Sequence, residues 1–248
     1  MRRTFRIGIW IALAALLALG VGSAVQRGIA VGSADPGAFD REQLEVIASI
    51  SGLEGPSPER ERLAAEIAAS AANLNGHPRA TYAHLVPGAL LFLLAPLQFS
   101  RRLRARHPAV HRWNGRFLLA MIVAGGVAGM YLGAAKPYGG ALETLATTVF
   151  GGFFLFAAAR GYAAIRARRI ALHREWMIRM FAIAVGISVI RVVGMAGVVV
   201  FGSQHLSADS FALSLWIGWL LTMAVAELYI LGTRARRTTE SAHGLQPL

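Results

Sequence analysis

The sequence predicts an all-α protein that crosses a membrane several times. Its 248 residues are 55% hydrophobic and only 15% charged, and its mean hydropathy is +0.51, a balance typical of membrane proteins. A bilayer-spanning helix needs about 20 mostly apolar residues. Six segments meet that requirement: 7–25, 82–100, 117–135, 144–165, 180–201 and 211–232.

The first apolar segment follows three arginines, an arrangement that signal peptides and membrane anchors share. Its apolar stretch, 7–25, is longer than the roughly 7–15 residues of a signal-peptide core. We therefore expect an uncleaved transmembrane helix over residues 1–25, with cleavage as the alternative.

Residues 26–80 predict an extracytoplasmic loop that carries two short amphipathic helices, because so long a connection is rarely without structure. Asp40, with a glutamine three residues later, predicts a capping box at the start of the first helix, and Gly52 predicts its end. Ser57 predicts the start of the second helix, which ends near Gly76. The pair is expected to lie over the outer mouth of the bundle, either as a simple lid or as a substrate-binding cap.

The segments that follow predict a four-helix membrane core over 81–202, made of two hairpins of the same orientation. Its third helix, the fourth of the six segments, is the weakest, because Thr147, Thr148, Gly151 and Gly152 interrupt its apolar runs. An outer loop and a sixth transmembrane helix should occupy 203–232. The polar residues 233–248 are expected to form a disordered cytoplasmic tail.

The net charge of +12 is concentrated in alternate loops, all on one side of the predicted arrangement. Eleven arginines lie within 101–116 and 166–179, and both chain ends are basic. This is the positive-inside pattern, which predicts cytoplasmic termini, a bacterial inner-membrane location and contact with anionic lipid head groups. It argues against nucleic-acid binding, which requires a basic soluble fold or groove.

The sequence lacks the residues and motifs that several kinds of chemistry require. The absence of cysteine excludes disulfides, thiolate metal sites and thiol catalysis. The sequence contains no HExxH zinc motif, no phosphate-binding loop and no nucleophile elbow. It therefore identifies no catalytic residue and no metal ligand set, and it leaves open whether the protein is an enzyme.

A basic phrase occurs twice, as RARHPAVHRWNGR from residue 104 and RARRIALHREWMIR from residue 166. The alignment matches His111 with His173 and Arg116 with Arg179. Each phrase joins a descending helix to an ascending one, so the two histidines should lie at the same depth, near a common axis. Such a pair suits the axial ligation of a b-type haem, with the two arginines as partners of its propionates. The alternative is that both histidines are polar groups at the membrane interface.

Other polar side chains fall inside the predicted helices. Ionisable groups at such depth are expensive, and they are candidates for functional sites. Arg191 is nearest in depth to His84 and to the outer mouth, where it is suited to hold an anionic group. Glu227 is close enough to the inner interface to reach water. If Arg191 has a structural role, polar groups such as Gln98 would accept its hydrogen bonds.

The stretch HLVPGALLFLLAPLQFSRRLRARHPAVHRWNGRFLL, together with HREWMIRMFAIAVGISVIR, resembles the family of bacterial predicted membrane proteins called domain of unknown function 2306, over about residues 80–195. Ala95 and Asn114 depart from the usual residues of that family. The resemblance implies a multi-pass membrane protein and supplies no reaction, cofactor or substrate.

Three functions remain open on this sequence. One is electron transfer through a b-type haem held by His111 and His173. Another is binding or transport of a small or anionic ligand by Arg191 and His84. The last is a structural or assembly role in the membrane.

Overall fold

In a computed structural model of the chain, residues 2–242 form nine α helices and contain no strand. The structure describes the backbone of residues 2–242 and the side chains of residues 7–235. The helices are α1 (Arg2–Gly32), α2 (Gly37–Ile50), α3 (Pro58–Gly76), α4 (Pro78–Phe99), α5 (Arg101–Arg106), α6 (Pro108–Ala135), α7 (Gly140–Arg166), α8 (Ile170–Phe201) and α9 (Ala208–Ala242), with a short 3-10 helix at Ser203–His205.

Six helices are long and apolar enough to cross a membrane, which confirms the predicted all-α membrane fold. Their spans are Ile7–Gly32, Pro78–Phe99, Pro108–Ala135, Gly140–Arg166, Ile170–Phe201 and Ala208–Ala235. Each span is longer than the segment predicted from hydropathy. The apolar run marks only the part of a helix that matches lipid, and backbone hydrogen bonding continues into the polar flanks.

The two predicted hairpins are present, α4 with α6 and α7 with α8. α9 packs along α8 and also contacts α7, whereas α1 packs along α4 and contacts α8. One continuous core joins both hairpins to α9, and its larger members are Leu91, Phe92, Phe150, Phe154, Phe181, Leu215 and Trp219. The sixth transmembrane helix therefore shares its core with the hairpins.

Helices α2 and α3 form a roof over one end of the bundle, which we call the capped end. Ile47, Leu63 and Ile67 from these helices pack with Val198 of α8 in a second apolar cluster. Two pairs of polar side chains help to attach the roof to the rest of the bundle. Arg27 of α1 binds Asp40 of α2 at 2.9 Å. Tyr138, between α6 and α7, donates a hydrogen bond of 2.5 Å to Glu66, and burial raises the pKa of this hydroxyl.

The predicted start of the first roof helix is wrong, and that of the second is confirmed. α2 begins at Gly37 with Pro36 as its N-cap and without a capping side chain, although the Gly37 amide donates a hydrogen bond of 3.1 Å to the Asp35 carboxylate that precedes it. Asp40 is thereby free to bind Arg27. Ser57 caps α3 as expected, because its hydroxyl accepts a hydrogen bond from the Arg60 amide at 3.2 Å.

The opposite end of the bundle, the basic end, holds the two repeated phrases. His111 and His173 are each the fourth residue of their helices, α6 and α8, as the alignment implies. The connections before them differ. α5 precedes α6, whereas a tight turn with Arg168 at a φ of +58° precedes α8.

The prediction of a disordered tail from residue 233 is wrong as far as Ala242, where α9 ends. Arginine, threonine, glutamate and alanine are tolerated in helices, and the first helix breaker after the apolar run is Gly244. The remainder of the predicted tail, 243–248, lies outside the described residues.

Candidate functional site: a basic recess beneath the roof

Arg191 lies in the half of α8 that is nearer to the capped end. Ser188, Arg191 and Val198 fall on one side of that helix. Ser188 is fully buried against α1, where a Cβ on Gly20 would lie 2.8 Å from its hydroxyl oxygen. Val198 is buried under the roof. Arg191, between these two packed layers, is nevertheless exposed. Its charge interactions with His84 of α4 and Arg27 of α1 place Arg191 where these helices meet α8. We call this region around Arg191 and His84 the basic recess.

The positive charge of Arg191 has no compensating carboxylate among the described residues. Its guanidinium donates one hydrogen bond of 3.0 Å, to the Ile187 carbonyl of its own helix. Its charge interacts with two other basic side chains, His84 and Arg27. Arg27 is neutralised by Asp40, so the recess keeps the uncompensated charge of Arg191.

His84 of α4 is held against α6 by a notch of two glycines. Its Nδ1 lies 2.8 Å from the Gly125 carbonyl oxygen. A Cβ on Gly129 would lie 2.7 Å from that same nitrogen, so the ring occupies the space that a larger residue would fill. Pro87, on the next turn of α4, packs against Gly125. The notch fixes the depth and the orientation of the imidazole.

The hydrogen bond to Gly125 also fixes the tautomer of His84. A carbonyl oxygen only accepts, so Nδ1 carries the hydrogen and donates it. In the neutral ring, Nε2 is then an acceptor. This nitrogen has no hydrogen-bond partner among the described residues. His84 and Arg191 thus offer one free acceptor and one free cationic donor within electrostatic reach of each other.

The histidines of the repeated phrase also come within electrostatic reach of each other, at the basic end. Nδ1 of His173 donates to the Gly161 carbonyl at 2.8 Å, an arrangement that leaves its Nε2 free. His111 differs, because its Nδ1 is buried without a hydrogen-bond partner. Only His173 therefore has the orienting bond that metal-ligating histidines usually make.

The two arginines predicted to meet haem propionates are placed differently. Arg116 stacks over Trp113 at 5.0 Å on the exposed surface of α6. Arg179 makes two hydrogen bonds to the Glu227 carboxylate, at 2.5 and 2.9 Å, and lies over Trp176. Arg179 is therefore already paired with a carboxylate, whereas Arg116 has no carboxylate partner among the described residues.

The remaining polar candidates do not meet Arg191. Gln98 lies at the basic end, where its amide nitrogen donates to the His111 carbonyl at 3.2 Å. Glu227 pairs with Arg179, the arginine that the sequence predicted as a partner of a haem propionate. Gly125 and Gly129 are four residues apart, and this spacing is the sequence signal that places them on one face of α6. No group of three His, Asp or Glu side chains suited to a metal ion occurs among the described residues.

Comparison with known proteins places the chain in a family without adding a function. A family model described as a predicted membrane protein, DUF2306, matches residues 81–230. The match covers more than half of the chain and extends beyond the region that carried the resemblance, through most of α9. No curated protein and no solved structure matches the chain.

Proposed function

We propose that this chain, which belongs to the DUF2306 family of predicted membrane proteins, binds or transports a small anion in the basic recess. Arg191 is the anion-binding residue in this proposal, and His84 is its polar partner. The recess lies toward the capped end of the bundle, where α2 and α3 pack on α8. An anion entering there would meet Arg191 before it reached the buried core around Phe92.

The uncompensated charge of Arg191 carries the proposal. An arginine near the centre of a transmembrane helix costs roughly 3 kcal/mol on insertion scales. Most such residues are paired or face a cavity, and Arg191 faces the recess with a single carbonyl as its partner. A bound anion would supply the missing countercharge. It would also accept hydrogen bonds from the guanidinium N–H groups that have no acceptor in the protein.

The test is an anion titration of the purified protein, followed by its thermal unfolding. A ligand at a hundred times its Kd stabilises the native state by about 2.7 kcal/mol, so sodium phosphate, sulfate or bicarbonate should raise the apparent Tm above that in chloride. Arg191→Gln should abolish the shift, and Arg191→Lys should retain part of it, because lysine keeps the charge and loses the planar fork.

Arg112→Gln is the matched control, since it removes the same charge from an exposed site at the basic end. It should leave the shift intact. If Arg191→Gln responds to anions as the wild type does, the proposal fails. A wild type that responds to no anion, together with an Arg191→Gln variant that loses only stability, would instead favour a structural or assembly role.

A second candidate, electron transfer through a b-type haem, is favoured by one observation. His111 and His173 occupy equivalent helix positions within electrostatic reach, and His173 has the Nδ1 hydrogen bond of an axial ligand. A haem there would be ligated by the two imidazoles and would supply one-electron chemistry. Arg179 is already paired with Glu227 and would have to leave that carboxylate to bind a propionate, and for that reason we place this function second.

A reduced-minus-oxidised absorption spectrum tests the haem directly. Protein purified from haem-replete cells should show a stoichiometric b-type signal, and His111→Ala and His173→Ala should each remove it. His77→Ala is the control, because this histidine lies at the capped end, where it bonds the Asn73 carbonyl. A colourless wild-type protein ends this candidate without affecting the anion site.

We place the protein in a bacterial inner membrane with its basic end in the cytoplasm. The support is the concentration of arginines at that end and the low number of basic residues at the capped end. The basic side chains would then contact anionic lipid head groups of the cytoplasmic leaflet.

A further inference from the structure

The chemistry of His84 narrows the kind of anion that the recess accepts. Its Nδ1 is committed to the Gly125 carbonyl, so the other nitrogen of the neutral ring, Nε2, is an acceptor, and the charge of Arg191 acts on this ring. Arg191 presents only donors. A bound anion that satisfies both groups must carry a negatively charged oxygen for Arg191 and a hydroxyl hydrogen for His84.

We infer that the ligand is a protonated oxyanion, such as hydrogenphosphate, bicarbonate or a chemically similar acid anion. This inference rests on the proposed function and names its substrate class. The charged oxygens accept hydrogen bonds from the Arg191 guanidinium, and the ligand O–H donates to Nε2 of His84. No covalent bond changes, and the proton stays on the ligand.

Anions without a hydroxyl are disfavoured for a specific reason. Sulfate and nitrate present only acceptor oxygens, so one of them would face the lone pair of Nε2. The histidine acceptor would then lose its water without gaining a hydrogen bond, and leaving such a group unsatisfied costs about 1–3 kcal/mol. That cost corresponds to roughly 5- to 150-fold weaker binding.

The experiment compares anion pairs matched in charge and size on the full chain in detergent at pH 8. The ordinary histidine pKa is about 6.5, so the ring of an unperturbed histidine is neutral at that pH. Hydrogenphosphate and sulfate both carry two charges, and only hydrogenphosphate has an O–H. Bicarbonate and nitrate form the singly charged pair. Calorimetric titration should give at least about fivefold tighter binding for the hydroxyl-bearing member of each pair.

His84→Ala removes the acceptor and leaves the glycine notch open, so no clash is introduced. This variant should bind hydrogenphosphate and sulfate within about threefold of each other, and Arg191→Gln should bind neither. The wild-type comparison is decisive even if His84→Ala fails to fold.

The outcomes separate this inference from the proposed function. Equal binding of both members of each pair, lost in Arg191→Gln, would overturn the inference and leave the anion site in place. Tighter binding of sulfate or nitrate would overturn it as well. If the wild type binds none of the four anions, the proposed function fails, and the inference fails with it.

Discussion

Two arginines of α8 show how strongly the surroundings decide the role of a charged residue. Arg179 and Arg191 are 12 residues apart, about 18 Å along one helix. Arg179 is held by a carboxylate on α9, whereas Arg191 has only a backbone carbonyl. The first charge is used in packing one helix against another, and the second is available to a ligand. A cation within a membrane span that has no carboxylate partner is therefore a better indicator of function here than the number of arginines.

The pair of Arg179 and Glu227 predicts a measurable stability effect. Glu227→Gln leaves a guanidinium that is only 13% exposed without its countercharge. Breaking a fully buried pair costs about 3–5 kcal/mol. Because Glu227 itself is 41% exposed, we expect a smaller loss, about 2 kcal/mol. The apparent Tm of the variant in detergent should fall by roughly 5 °C.

A matched exposed pair serves as the control for this prediction. Glu45→Gln removes the partner of Arg60 in the roof, where Glu45 is 66% exposed. Exposed pairs contribute about 0–1 kcal/mol, so this change should lower Tm by no more than about 2 °C. Equal effects of Glu45→Gln and Glu227→Gln would show that burial does not determine how much the Arg179–Glu227 pair contributes to stability.

At the scale of the helices, hydropathy predicted which segments span the membrane but not where they end. A run of apolar side chains reports contact with lipid, whereas a helix ends where a cap or a helix breaker interrupts its hydrogen bonding. α6 accordingly starts nine residues before the predicted segment, and α9 continues ten residues past its own. Roof helix α3 was predicted accurately because Ser57 and Pro58 give a local start signal.

The candidate site was only partly predictable for a related reason. His84 and Arg191 stand out in the sequence because ionisable groups are rare inside transmembrane helices. The contacts that define their roles join different helices, such as His84 with Gly125 or Arg179 with Glu227, and these depend on packing and rotation. Depth counted along a single helix does not contain that information.

At the scale of the whole molecule, the two ends of the bundle differ in charge. The basic end carries the arginines of α5 and of the connection between α7 and α8. The capped end carries the roof, in which acidic residues outnumber basic ones. Orientation in the membrane therefore decides which solution the basic recess opens toward, and with it the compartment that supplies the anion.

Cysteine labelling measures this orientation directly, because the chain contains no cysteine of its own. Glu54→Cys lies in the exposed turn between α2 and α3, and Ala167→Cys lies in the exposed turn between α7 and α8. With the basic end in the cytoplasm, a membrane-impermeant maleimide should label Glu54→Cys on intact bacterial spheroplasts. Ala167→Cys should react only after lysis.

The unsubstituted chain supplies the background for both labelling measurements. Labelling of Ala167→Cys on intact spheroplasts, with Glu54→Cys protected, would reverse the orientation and place the recess toward the cytoplasm. The binding contacts of Arg191 and His84 would be unchanged, since they depend on the fold alone. The anion would then come from the cytoplasm, so the labelling result determines from which side of the membrane the recess binds its ligand.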